Sequence, residues 1–197
     1  MKALELSKYD RLILSTQDIA NIFSITKESA KVTASRYAKK GLLIRLKKDF
    51  YIPESKFDKI KETELFGLAN ILQTPSYISL TTALSFYNIS TQQQRNFIES
   101  IALKRTRHVS VKEIDFEYIL LKKDLYNGFI LKDNFFIAVP EKALADAIYL
   151  TALKKYNCDF DAINFKKLDI KKVESFVRKA NSKTEKFWLE LCKTYKV

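Results

Sequence analysis

The chain holds only three glycines, three prolines, two cysteines and one histidine in 197 residues. Gly41, Gly67 and Gly128 are too scattered for a Walker loop or a dinucleotide fingerprint, both of which need clustered glycines. His108, alone of its kind, excludes a multi-histidine metal site and would be the only ring for a Ser-His or Cys-His mechanism. Cys158 and Cys192 make no disulfide framework; they fit a reducing compartment and read as small apolar packers. No apolar run approaches the roughly 18 residues that a membrane span needs. Residues 1–10 lack an uninterrupted apolar stretch of signal-peptide length. These absences predict a cytoplasmic protein without metal, cofactor or membrane partner.

Positive charge is what the chain has in excess. Thirty-five Lys and Arg face 23 Asp and Glu, a net of +12, within an otherwise ordinary globular composition of 47% hydrophobic residues. A soluble protein this basic is drawn to a polyanion. The surplus is uneven: 5 over residues 1–58, 1 over 59–150 and 6 over 151–197. The basic ends and near-neutral middle suggest a division of labour, with a first domain at 1–58 and a second at 59–197.

In the first sixty residues, Thr16–Phe23 reads as a short helix capped by Ser15 or Thr16, with Ile19, Ala20, Ile22 and Phe23 on its apolar face. After a break at 24–26, Thr26 caps a longer helix over Lys27–Lys40, on which Ala30, Thr33 or Ala34, and Tyr37 face the first. Gly41 ends it, where a left-handed residue is wanted. The period then changes to strand-like in Leu42–Leu46 and Phe50–Ile52, around a basic turn at 47–49. Two helices joined by a short turn, then a hairpin with cations at its tip, make a winged helix-turn-helix. Lys27, Lys31, Arg36 and Lys39 lie on faces that the core does not need, and a major groove admits one helix. The alternative is a solvated lysine-rich helix, or a winged helix used for protein contacts.

The rest reads as an α+β domain: a small, mainly antiparallel sheet packed by helices. Helices are expected over 63–72, 80–87, 140–153, 169–180 and 183–195, with Ser79 as a cap and Asn88 as a stop. Strands are expected at 77–78, 97–103, 116–121 and 135–139; Asn127-Gly128 reads as a hairpin turn, and Lys132-Asp133-Asn134 as a turn into the last of these strands. Glu141 and Asp146 are the obvious carboxylates for catalysis. Five residues apart on a helix they do not share a face, and Glu141 in the first turn favours the helix dipole. Arg105, Arg107 and His108 form a basic cluster at a strand end, read either as a phosphate contact or as a charged edge that discourages aggregation. The chain is therefore not expected to be an enzyme.

The order of motifs resembles the AbiEi antitoxin family of type IV toxin–antitoxin systems. Gly-Leu-Leu-Ile-Arg and Phe-Tyr-Ile-Pro within 41–53 are followed by Ala69-Asn-Ile-Leu and Pro75-Ser-Tyr-Ile-Ser-Leu-Thr-Thr-Ala-Leu-Ser-Phe-Tyr87. Lys104-Arg-Thr-Arg107 and Pro140-Glu-Lys-Ala-Leu-Ala-Asp146 complete the set, and the similarity covers most of residues 10–155. The resemblance implies an N-terminal domain that represses its own operon by binding operator repeats. It also implies a C-terminal domain that counters a nucleotidyltransferase-like toxin without stable toxin binding. Such proteins often carry glycine where Asp49 stands, so Asp49 sets a negative charge beside the expected phosphate contact of the wing.

The expected DNA-binding residues are Lys27, Ser29, Lys31, Val32, Ser35 and Arg36 on the groove side of the second helix. Lys39, Arg45, Lys47 and Lys48 are expected on phosphates, and Gln17 on the backbone from the first helix. The partner is double-stranded DNA with operator repeats, on which two copies would meet as a dimer. The alternatives are a stand-alone winged-helix regulator, or an interaction protein whose basic C-terminal helices dock an acidic partner.

Overall fold

Capping residues place the first elements. In the computed structural model, which describes residues 2–197, the chain runs through α1 (Lys2–Lys8), β1 (Leu14–Ser15), α2 (Thr16–Phe23), α3 (Lys27–Lys39), β2 (Leu43–Lys47) and β3 (Phe50–Pro53). The Ser15 hydroxyl accepts from the Asp18 N–H at 3.1 Å, and the Asp18 carboxylate accepts from the Ser15 N–H at 2.8 Å, a reciprocal capping box at the start of α2. Ser24, left-handed at φ 52, ends that helix. Thr26 caps α3 by accepting from the Ser29 N–H at 3.2 Å. At the other end, Gly41 at φ +70 closes α3 in a Schellman turn, with Gly41 N–H donating to Ala38 O and Leu42 N–H to Tyr37 O.

Small residues then set how these helices pack. α3 fully buries only Ala30 and Ala34, which meet Ile19, Ala20 and Phe23 of α2 together with Leu6, Leu14, Leu43 and Tyr51. Phe23 and Tyr37 pack edge to face, with ring centroids 6.2 Å apart. The strands form an antiparallel sheet in the order β1-β3-β2, with a bulge between Arg45 and Lys47 before the turn. α4 (Glu54–Phe57) and α5 (Glu62–Leu72) follow. The first of two compact units ends at Leu68, inside α5, later than the boundary that the charge profile suggests at Asp58.

The second unit begins at Ala69. It contains β4 (Ser76–Ile78), α6 (Leu80–Phe86), β5 (Phe97–Ala102), β6 (Arg107–Val111), β7 (Ile114–Leu120), β8 (Phe129–Lys132) and β9 (Phe135–Ala138), then α7 (Pro140–Ala152), α8 (Ile170–Val177) and α9 (Ser182–Tyr195). The chain is α+β as expected, and the six-stranded sheet, ordered β6-β7-β5-β4-β9-β8, is mixed: three of its five strand pairs are antiparallel and two are parallel. β5 and β7 are parallel because β6 goes to the edge and the chain returns from it into the place beside β5; β4 and β9 are parallel as well.

Two local expectations fail for identifiable reasons. Asn127-Gly128 does not turn a hairpin: Lys123–Leu125 form a single 3-10 turn, and Tyr126 packs on Tyr77 and Phe129 at 5.0 and 5.2 Å. Tyr126 packs there instead of extending a strand, while Phe129 opens β8 opposite Ala138. The hairpin turn is instead Asp133-Asn134, both at positive φ, between β8 and β9. Ser79 stands at the N-cap of α6 but makes no capping bond; its hydroxyl donates to Asp146 at 2.9 Å.

That bond belongs to a buried network joining β4 to α7. Asp146 also accepts from the Tyr77 hydroxyl at 2.9 Å and pairs with Lys142 one turn earlier, both members of the ion pair being almost wholly buried. Burial pushes the Asp146 carboxyl up, against the opposing pull of the Lys142 ammonium and the two hydroxyls. Burial likewise raises the Tyr77 phenol well above its usual range, with Asp146 adding to it. On β5, buried Glu99 accepts from the Thr82 N–H at 3.2 Å and ties the strand to α6. No helix among the described residues is long and apolar enough to cross a membrane.

Two stability predictions follow from this packing. Gly128, at φ +74, has Phe176 ring atoms 2.9 Å from where a Cβ would sit, whereas Gly41 has open space. Gly41→Ala should cost about 1–2 kcal/mol from its left-handed backbone alone. Gly128→Ala should cost a further 1–3 kcal/mol, roughly, from overpacking; urea denaturation of both variants measures the difference. Lys142→Ala leaves a buried carboxylate without its counter-ion and should destabilise by about 3–5 kcal/mol, read by the same method.

Candidate nucleic-acid interface

The segment 27–48 carries Lys27, Lys31, Arg36, Lys39, Lys40, Arg45, Lys47 and Lys48 against the single carboxylate of Glu28. Since the core takes only the Ala30–Ala34 side of α3, helical geometry turns the opposite half outward. Glu28, Ser29, Lys31, Val32, Ser35, Arg36 and Lys39 are all exposed there. Lys31, Val32, Ser35, Arg36 and Lys39 border one open depression of about 460 Å³. Val32 is 69% exposed, a β-branched apolar side chain set among cations. Lys31 and Lys39 make no ion pair, while the Arg36 guanidinium lies 5.9 Å from the centroid of the Tyr37 ring. The face thus carries lysines without ion-pair partners along its length and an apolar group among them.

The other expected contacts lie apart from that depression. Lys27 is exposed at the first position of α3, on the rotational side nearer Ala34. Ser29 has its hydroxyl engaged, accepting from the Thr26 hydroxyl at 3.0 Å. Gln17 is exposed on α2, where its amide donates to Asn21 at 3.0 Å. Arg45 projects from β2 and Lys48 from the turn, both exposed. Lys47 is half-buried, its ammonium 4.9 Å from the centroid of the Phe50 ring. Glu28 was not foreseen: a search for cations passes over the one carboxylate among them, although its place in the first turn was legible.

Asp49 adopts φ 65, the conformation that favours glycine at this point of a bulged hairpin. Its carboxylate accepts from the Thr16 hydroxyl at 3.1 Å, and its carbonyl accepts from the Thr16 N–H at 2.9 Å. The negative charge is thus turned back onto the N-terminus of α2, where the helix dipole favours it, instead of projecting from the tip of the hairpin.

The second unit offers its polar groups differently. Glu141 and Asp146 are both buried, Glu141 3.0 Å from the Lys172 ammonium and Asp146 spent in its network. On the β6 edge, His108 lies 3.1 Å from Glu117 and 3.2 Å from Asp115, so both ring nitrogens sit beside carboxylates of the neighbouring strand. Cys158 is buried, and burial first, with Glu99 and Asp159 adding, pushes its thiol up to about 12.

The hairpin geometry gives a direct check. Asn tolerates the left-handed backbone and keeps an oxygen acceptor for Thr16, so Asp49→Asn should leave stability within about 0.5 kcal/mol of the parent. Asp49→Val loses both and should cost roughly 2 kcal/mol, measured by chemical denaturation. Neither a protein-family model nor a curated protein matches this chain.

Proposed function

We propose that the first unit is a winged helix-turn-helix that binds double-stranded DNA sequence-specifically, and that the protein is a transcriptional repressor of its own operon. The observation that carries this reading is the open face of α3, where Lys31, Val32, Ser35, Arg36 and Lys39 converge with no carboxylate paired to their lysines. α2 and the turn at 24–26 brace α3 through its alanine side, so the outer half can enter a major groove. Lys31 and Arg36 flank that half and meet phosphates or guanine edges. Arg45 and Lys48 on the hairpin, and Gln17 at the start of α2, serve as backbone contacts that fix register without reading sequence.

Following the resemblance to AbiEi proteins, the second unit is proposed to supply an antitoxin activity against a nucleotidyltransferase-like toxin. Operator repeats would bring two copies together on DNA. A second reading, docking of an acidic partner, draws on the exposed lysines of α8 and α9, among which Lys171, Lys183, Lys186 and Lys193 make no ion pair.

Salt titration of operator binding tests the first proposal. Affinity should fall steeply with salt, and Lys31→Gln should flatten the log–log slope by about 0.9. Lys31→Glu with Arg36→Glu should abolish binding in a folded protein; an unchanged affinity and slope would refute the assignment. The same double variant should lose promoter repression yet still relieve growth arrest by the toxin, which separates the two activities within the full chain.

A further inference from the structure

The exposed half of α3 is not uniformly cationic. Val32 points about 180° away from the midpoint of Ala30 and Ala34, and Glu28, one turn earlier, sits only about 40° to one side of it. Lys31 lies off this midline, about 100° from Val32. Over the N-terminal half of α3 the line that would face the floor of a groove therefore presents a carboxylate and an isopropyl group; Arg36 stands about as far to the other side of that line as Glu28, and Lys39 returns close to it two turns after Val32. Glu28 is exposed and makes no hydrogen bond or ion pair, although Lys31 is within one turn. A first-turn glutamate favours the helix dipole wherever it points around the axis, so the dipole does not explain why this one lies on the outward half.

A carboxylate held against DNA is repelled by phosphates and by every acceptor on the base edges. In the major groove guanine shows N7 and O6, thymine shows O4, and adenine sets N7 beside its amino group; cytosine alone presents a donor and no acceptor of its own. We propose that Glu28 is a specificity-determining residue that accepts a hydrogen bond from the N4 amino group of a cytosine, and that Val32 packs on the methyl group of a neighbouring thymine. This rests on α3 being the groove-reading helix. Glu28 then contributes little to affinity and much to discrimination, because sites without cytosine at that position leave its charge facing acceptors.

Selection of the full-length protein against a randomised duplex library tests this, with Glu28→Gln, Val32→Ala and Lys31→Gln alongside. The parent should select a motif with cytosine at one fixed position. In Glu28→Gln the preference for cytosine there should drop about tenfold or more, with adenine gaining, since Gln pairs with adenine N6 and N7. Val32→Ala should relax a thymine at an adjacent position, and Lys31→Gln should weaken all sites alike while leaving the motif intact. A thermal melt of Glu28→Gln reports any dipole contribution separately, since lost helix stability does not change which base is chosen. A Glu28→Gln motif identical to that of the parent overturns the assignment of Glu28 while leaving DNA binding by α3 in place. A parent that enriches no sequence overturns DNA reading itself, and this inference with it.

Discussion

The contact between Ala30 and Ala34 of α3 and the apolar side of α2 is the constraint on which the first unit depends. Two methyl groups are all that α3 commits fully to the core, so α2 and α3 approach closely and the wider side of α3 stays free for other work. Leu6, Leu14, Leu43 and Tyr51 close the same cluster from α1 and the sheet, which holds α3 at both ends without covering it. A larger residue at either alanine would push the helices apart, and overpacking of this kind is itself costly.

In the second unit the corresponding constraint is polar. Lys142, Asp146, Tyr77 and Ser79 join α7 to β4 through a charge that burial alone would neutralise. Such a network contributes little net stability compared with an apolar core of the same volume. It does fix which turn of α7 lies against which residue of β4, since no other arrangement satisfies both hydroxyls and the ammonium. Asp146, one of the two obvious carboxylates of the sequence, is thereby part of the framework of the fold.

Much of this was legible in the sequence where the signal is local. The bounds of α2 and α3, the cap at Thr26 and the left-handed Gly41 follow from side chains within a few residues of each boundary. Most of the outward set on α3 followed from period, because Ala30 and Ala34 mark the inner side; Lys27, expected with that set, falls on the side nearer Ala34. What was not legible depends on distant partners. β1 is two residues long and exists only because β3 pairs with it. The sheet of the second unit is mixed because of where β6 goes, which no local pattern records. Ser79 has the chemistry of a cap but is claimed by a carboxylate 67 residues away. Asn127-Gly128 has the chemistry of a turn, but Tyr126 before it packs on the rings of Tyr77 and Phe129 instead of extending a strand.

Asp49 and Thr16 are joined at two points, carbonyl to N–H and carboxylate to hydroxyl. One residue of the hairpin is thus pinned to the residue that opens α2, which ties the tip to the helix pair. On the proposed reading the hairpin would be aimed before it meets DNA, and less conformational freedom would remain to be surrendered when the complex forms.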